Sequence, residues 1–579
     1  MKKLASILLV FVFFSSLILT DFSLAQYPLL NQEDSASQVP EDIVEPAAVL
    51  SIEESFGESR IRQITYTNSS AAANENSSEN PSAAKPLNDA QSKFNNLSSD
   101  GKDNLNYMLS EFEKDIIRIK REWGIPGMSV AAVIDGKIVY RKSFGVKDTV
   151  LKEPVDNQTI FQIGSCTKAF TSMLAAIFDD RGILSFDDKV IKHLPEFRFS
   201  NPILTQEMTL EDLLSQYSGL TPYSQHFMLL FGYTRRQIIN SIRYIRMDGN
   251  FRQTYGYQNN LFLLAGEIMR EASGIAWEQN LNKYILTPLK MQSTTSDLAS
   301  FINAKNRSYG HYYRNGSLVP ASDKLPYNSW PYIFAPAGGI NTNIDDFSKW
   351  LLFLTNDGIV NGKRLVSKKN MDRVFSKKVQ NKQQGYYYCL GWRLSPRDYG
   401  DNFWHGGTTD MQGAYISFLR GKNIGAVILM NLNNVPAAES ITLSLYDLYF
   451  QKDRTDWSRK NLQRSEARRK SRENASKKVE KIIPPQNLKN YTGKYINSLY
   501  GIVEVRLENN QLKFSAGSFK TWLTLTHYNK DSFSAMSIPG WSFKKPEFRF
   551  RVDKKSAVTG LFISDMSDGV DSLFKKISG

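Results

Sequence analysis

A short run of strand character, Thr159–Ile163, meets Gly164 and passes straight into an apolar helix. Phe170, Met173, Leu174 and Ile177 recur at the spacing of one helix face, which predicts a helix over Ser165–Asp180 ended by Gly182. A strand that turns into a helix through a glycine leaves the first helical backbone N–H groups without intrahelical partners. The residues at that junction are Ser165-Cys166-Thr167-Lys168.

Other elements follow from equally local signals. Met128–Ile134 reads as an apolar strand and Lys137–Arg141 as its return, with Asp135-Gly136 as the tight turn between them. A second helix is expected over Asn260–Ala272, with Gly274 behind it, and paired strands over Ala414–Phe418 and Ile424–Met430. Towards the end of the chain the period changes to two. Val503, Val505 and Leu507 alternate with charged residues, Asn509-Asn510 turns the chain, and Phe548–Val552 continues the pattern. This predicts a small antiparallel sheet or barrel.

The first hundred residues are of a different kind. Lys2-Lys3, the apolar run Leu4–Leu19 and the small residues before Gln26 have the layout of a secretory signal peptide, residues 1–25; an uncleaved anchor is the alternative. Residues 26–104 are mostly rich in Ser, Asn, Ala, Glu and Pro with little apolar period, as in a flexible spacer. An export signal implies a periplasmic or secreted protein. Only Cys166 and Cys389 then meet an oxidising compartment, and two cysteines make no disulfide framework.

The net charge of +14 raises the question of a nucleic-acid partner, but half of it sits in one place. Between Lys452 and Lys481 there are 12 Lys and Arg against 5 Asp and Glu, with no nucleic-acid-binding motif beside them. The stretch reads as a charged linker, helical or simply solvated, stopped by Pro484-Pro485, and nucleic acid is not the expected partner.

Ser165 and Lys168, three apart on a helix, share a face, so the lysine nitrogen can reach the hydroxyl. A serine hydroxyl is a weak nucleophile until a neighbouring base removes its proton, and a lysine kept neutral by burial can be that base. Ser-x-x-Lys also occurs at Ser82, Ser99, Ser542 and Ser572, so the junction with the strand is what singles out Ser165. Tyr257-Gln258-Asn259 precedes the second helix: a phenol can relay a proton, and an amide can hold a carbonyl or a lysine. The bland reading is a core tyrosine and a helix cap. Trp404-His405-Gly406-Gly407-Thr408 precedes an apolar strand, where glycines let a substrate lie against a strand edge. None of the five histidines shows metal-ligand spacing, so no metal and no cofactor is expected.

In this order the three segments resemble the motifs of the penicillin-recognising serine hydrolases, and within them the class C β-lactamase-related branch. Ile125–Val130, Leu213–Leu220 and Pro336–Ile340 are similar to further landmarks of that branch. The resemblance covers residues 105–451. It implies an α/β fold, an antiparallel sheet flanked by helices plus an all-helical lobe. Residues 486–579 resemble the small all-β barrel-like domain often appended to such enzymes, with 452–485 as linker.

By this resemblance Ser165, Lys168 and Tyr257 are catalytic and form and resolve an acyl-enzyme. Asn259, His405, Gly407 and Thr408 bind substrate, and the backbone N–H groups of Ser165 and Thr408 make the oxyanion hole. His405 stands where the lactamase has lysine. A neutral imidazole brings no fixed charge, which moves the expectation from a true β-lactamase to a carboxypeptidase or esterase. The expected substrate is a small molecule or peptide, including cell-wall peptide. The alternative is a penicillin-binding sensor that acylates without turnover. Membrane contact is expected only through an uncleaved signal, and the oligomeric state stays open.

Overall fold

A computed structural model describes residues 99–578, apart from 226–227, 229–231, 315–316, 322–329, 410, 477–481, 518–521, 536–546 and 565–572. The signal peptide and most of the spacer (residues 1–98), as well as His226, lie outside the described residues.

Helix α1 (Ser99–Glu122) leads into strands β1 (Gly127–Ile134) and β2 (Lys137–Gly145). The turn between the strands has Asp135 at φ 49° and Gly136 at φ 71°, the left-handed pair that an Asp-Gly hairpin needs. Then come α2 (Thr167–Asp180), α3 (Asn260–Ser273) and α4 (Ile344–Thr355). Strands β3 (Val379–Asn381), β4 (Tyr386–Tyr388), β5 (Arg393–Arg397), β6 (Gly400–Thr409), β7 (Gln412–Leu419) and β8 (Ile424–Met430) follow, and α5 (Val435–Tyr449) closes the domain. The strands make one antiparallel sheet in the order β2-β1-β8-β7-β6-β5-β4-β3, so the first hairpin is completed by the last strand.

Both faces of this sheet are covered, which is why β1 reads as an unbroken apolar run rather than an alternating one. Val130, Ala132 and Ile134 face Phe112 and Ile116 of α1 and Ile441 of α5. Ala131 and Val133 face the other way, into the core built on α2 and α4. Fully burying a side chain of this size contributes about 1.5–3 kcal/mol, so the two-sided core is a large share of what holds the fold. Short helices, among them Leu210–Ser215 and Arg235–Ser241, join α3 in the helical lobe.

The basic stretch differs from a solvated connector. Residues Trp457–Ser476 form helix α6, and its first turns are docked. Trp457 Nε1 donates to Asp447 Oδ2 at 2.7 Å, Trp123 Nε1 to Ser458 Oγ at 3.0 Å, and Asn461 Nδ2 to Ser440 Oγ at 3.0 Å. Just before it, Arg454 pairs with Glu111 and Asp115 of α1. Three uncharged residues and Arg454 at the start of the charge run fix this segment to α1 and α5.

The C-terminal strands close into an eight-stranded barrel, from β9 (Gly493–Asn497) to β16 (Leu573–Ser578), with first and last paired. Asn509 and Asn510, at φ 50° and 57°, make the expected turn. The barrel interior is filled with rings: Tyr491 lies 4.7 Å from Phe550 and Phe514 lies 4.8 Å from Phe548, centroid to centroid. The barrel meets the lobe where the Tyr233 hydroxyl donates to the carbonyl of Tyr500.

Candidate active site

The strand-to-helix junction forms as the sequence predicts, with one refinement. Gly164–Cys166 is a single 3-10 turn, and the α-helix proper begins at Thr167. Gly164 sits at φ 48°, and a side chain there would meet the backbone of Thr408 at 2.5 Å. Gly407 is equally constrained: a Cβ would lie 1.8 Å from the carbonyl oxygen of Ile163. Two glycines, one on the turn and one on β6, therefore let the strand pass directly beside Ser165. Gly407 and Thr408 act through backbone approach, the Thr408 backbone passing against Gly164, the residue before the nucleophile.

Ser165 is partly exposed, whereas Lys168 is wholly buried. The Lys168 Nζ lies 2.6 Å from Asn259 Oδ1, 2.9 Å from the carbonyl oxygen of Ala337 and 3.2 Å from Ser165 Oγ. Burial, reinforced by the Arg393 guanidinium, holds the amine well below the usual lysine range. A neutral amine has two N–H donors, and the two carbonyl oxygens can only accept. Its lone pair is thus left for the Ser165 hydroxyl proton, the arrangement a general base requires.

Tyr257 OH donates to Ser165 Oγ at 2.9 Å. Burial pushes this phenol above its ordinary value, so it stands as a neutral donor. Tyr257 and Asn259 diverge from a backbone clamped by Gln216, which takes the Gln258 N–H at 2.6 Å and donates to the Gln258 carbonyl at 2.9 Å. Gln216 itself adopts φ 61°, past the end of the Leu210–Ser215 helix. It lies inside the Leu213–Leu220 landmark, which marks the segment without giving its role. The Pro336–Ile340 landmark supplies the Ala337 carbonyl, and Thr171 Oγ1 ties it to α2 by donating to Pro336 O at 2.6 Å.

His405 is brought into the same cluster, but not as an open substrate contact. The ring is fully buried; Nδ1 lies 2.8 Å from the Gly406 carbonyl, and Tyr388 OH lies 3.3 Å from Nε2. Burial first, then Arg393 and Lys168, hold the imidazole well below its ordinary value. It is therefore neutral, with Nδ1–H donating to the carbonyl and Nε2 accepting from the phenol. Where the sequence points to a hydrogen bond for substrate, burial turns both nitrogens inward. Cys166 is also buried, its Sγ 3.3 Å from His405 O, and burial pushes the thiol up. A protonated thiol is a poor nucleophile. Neither cysteine is in a disulfide.

Sequence reasoning missed Arg393 and Tyr388, which reach the cluster from β5 and β4. Their only signal is position beside the Trp404–Thr408 strand, and that depends on register. Among the described residues no group of three or more His, Cys, Asp or Glu is placed to hold a metal ion, and no helix is long and apolar enough to cross a membrane.

Comparison with known proteins bears on the family and the fold. A family model described as Beta-lactamase matches residues 112–446, and one described as a domain of unknown function, DUF3471, matches 477–575. The chain is similar to an unguisins hydrolase, ungD', of Aspergillus campestris, 25% identical over 67% of this chain and 76% of that protein. It is 27% identical to protein flp of Staphylococcus aureus over 54% of this chain, and spans only 60% of flp. Among solved structures, the octameric penicillin-binding protein homologue from Pyrococcus abyssi has the same fold, with a TM-score of 0.54 and 22% identity over 79% of this chain and 98% of that one.

Proposed function

We propose that this chain, which belongs to the Beta-lactamase family, is an exported serine hydrolase working through an acyl-enzyme on Ser165. One observation carries the reading: Ser165 Oγ lies within 3.2 Å of a buried lysine nitrogen and 2.9 Å of a phenol hydroxyl. The neutral Lys168 amine takes the Ser165 proton as Oγ attacks the substrate carbonyl. Backbone N–H groups of Ser165 and Thr408 hold the resulting oxyanion, each such donor typically worth about 2.7–4 kcal/mol. Tyr257 passes its proton to the leaving nitrogen or oxygen, and the Lys168 ammonium restores it. Water then enters by the same route in reverse and releases the acid.

The substrate is an amide or ester, with a carboxypeptidase or esterase favoured over a true β-lactamase, because neutral His405 lacks the lactamase lysine charge. Cell-wall peptide fits an enzyme exported through the Lys2–Ala25 segment. The similarity to an unguisins hydrolase supports hydrolysis as the reaction class. The test is to treat the purified chain and its Ser165→Ala variant with a chromogenic ester and a fluorescent penicillin, and to locate adducts by mass spectrometry. Ester turnover and a labelled Ser165, both absent in the variant, are expected. Labelling without any turnover would move the reading to a sensor; equal reaction of the variant would overturn it.

A further inference from the structure

Strands of a closed barrel turn alternate side chains inward and outward. β9 turns Tyr495 and Asn497 in, and β10 (Gly501–Glu508) turns Val503 and Val505 in. The outward positions of such strands are ordinarily polar, as Glu504, Arg506 and Glu508 are. Three on this side of the barrel are not. Ile496 is 41% exposed, Ile502 53% and Ile577 52%. Register brings the first two together: Ile496 of β9 stands opposite Ile502 of β10. On its other side Ile496 stands opposite Lys575 of β16, and Ile577 follows two residues along that strand, next to Ser578, the partner of Lys494.

The border of this apolar group is basic. Lys494 and Lys575 are both exposed. Lys575 pairs across β15 (Val558–Ile563) with Gly560, and Gly560 with the exposed Arg551 of β14 (Glu547–Val552). Glu504, opposite Lys494, is the acid on the β10 side, so cations dominate the row.

Single exposed isoleucines are common on protein surfaces and require no partner. Adjacent ones ringed by cations suit a surface that is apolar beneath and anionic on top. That is the chemistry of a bilayer carrying anionic lipids. A second copy of the barrel fits less well, because a twofold contact through this face would set each group of cations against its own kind.

We propose that this face of the barrel docks on an anionic lipid bilayer. Ile496, Ile502 and Ile577 enter the headgroup layer, while Lys494, Lys575 and Arg551 meet the lipid phosphates. The contact is peripheral, lying on the membrane rather than crossing it, and it is separate from the expected signal segment. It does not depend on Ser165 being the nucleophile.

The test is co-sedimentation with vesicles of phosphatidylcholine alone and with about one-third phosphatidylglycerol. Residues 26–579, the exported form, are used so that the apolar Leu4–Leu19 run cannot itself enter the bilayer. Binding to the anionic vesicles is expected to be at least about tenfold stronger than to the neutral ones, and to weaken between about 0.1 and 0.5 M salt. Ile496→Thr with Ile502→Thr should lower it about tenfold at either salt. Lys494→Gln with Lys575→Gln should lower it about 10- to 30-fold at low salt and leave little preference for anionic lipid. Thermal melts check that each variant is folded, and the lysine pair carries the test if the threonine pair does not fold.

The basic helix α6 is the rival source of charge, and Arg464→Gln with Arg468→Gln should leave binding within about twofold. Loss of binding in that variant with retention in the barrel variants overturns the proposal. So does binding to neither vesicle, equal binding to both, or barrel variants that alter the oligomeric state in ultracentrifugation and not the vesicle binding.

Discussion

Asn259 occupies the N-cap position of α3 but gives its side chain to Lys168, with Oδ1 2.6 Å from Nζ, and makes no side-chain cap bond to its own helix. The residue that begins the helix is thereby spent on holding the base. A carboxylate in its place would favour the ammonium and raise the lysine pKa. Lys168 works as the neutral amine, so activity is gained as pH rises through that pKa. Asn259→Asp should move the acid limb of the kcat/KM profile to higher pH, with a loss of roughly tenfold or more at pH 7. An unmoved limb would show that Lys168 is not the base.

Tyr257 reaches Ser165 with its hydroxyl alone, while its ring lies 5.3 Å from that of Tyr223. Tyr257→Phe keeps the ring and removes the proton donor. The expected result is a fall in kcat of about 10²- to 10³-fold with little change in KM. Steady-state kinetics on a chromogenic ester would check it.

The approach of β6 to the nucleophile turn makes two adjacent glycines unequal. A Cβ on Gly407 meets backbone, the Ile163 oxygen at 1.8 Å, whereas one on Gly406 meets the end of a side chain, Val435 Cγ1 at 2.6 Å. Gly407→Ala should destabilise by at least about 1–3 kcal/mol and abolish hydrolysis, and Gly406→Ala should do less of both. Thermal melts of the two variants side by side settle the order.

Cys166 sits next to the nucleophile yet is buried, with its thiol held protonated. The native protein should resist a thiol reagent that labels both Cys166 and Cys389 in denaturant. Cys166→Ser should retain ester turnover within a few fold, since the proton path runs through Lys168 and Tyr257.

What the sequence made legible was local. The Asp135-Gly136 hairpin, the Ser165–Asp180 helix and the Asn509-Asn510 turn each depend on residues within a few positions of one another, and each formed. Ser165, Lys168, Tyr257, Asn259 and His405 were found by motif, and the fold brings them together. Arg393 escaped because its meaning lies in a register, opposite Trp404 and Tyr388, that no window along the chain contains. The inward turn of His405 escaped for the same reason, since burial is a property of the surrounding strands. In α6 the charges hid three anchoring residues, Trp457, Ser458 and Asn461, too few to give an apolar period.

Rings pack against one another in the C-terminal barrel, Tyr491 against Phe550 and Phe514 against Phe548. That domain is tied to the lobe where the Tyr500 carbonyl receives the Tyr233 hydroxyl. A protein shortened before residue 486 would keep Lys168 and Tyr257 beside Ser165 and lose that tie. Any change in its activity would then be a measure of how firmly the lobe must be held for the cleft to keep its shape.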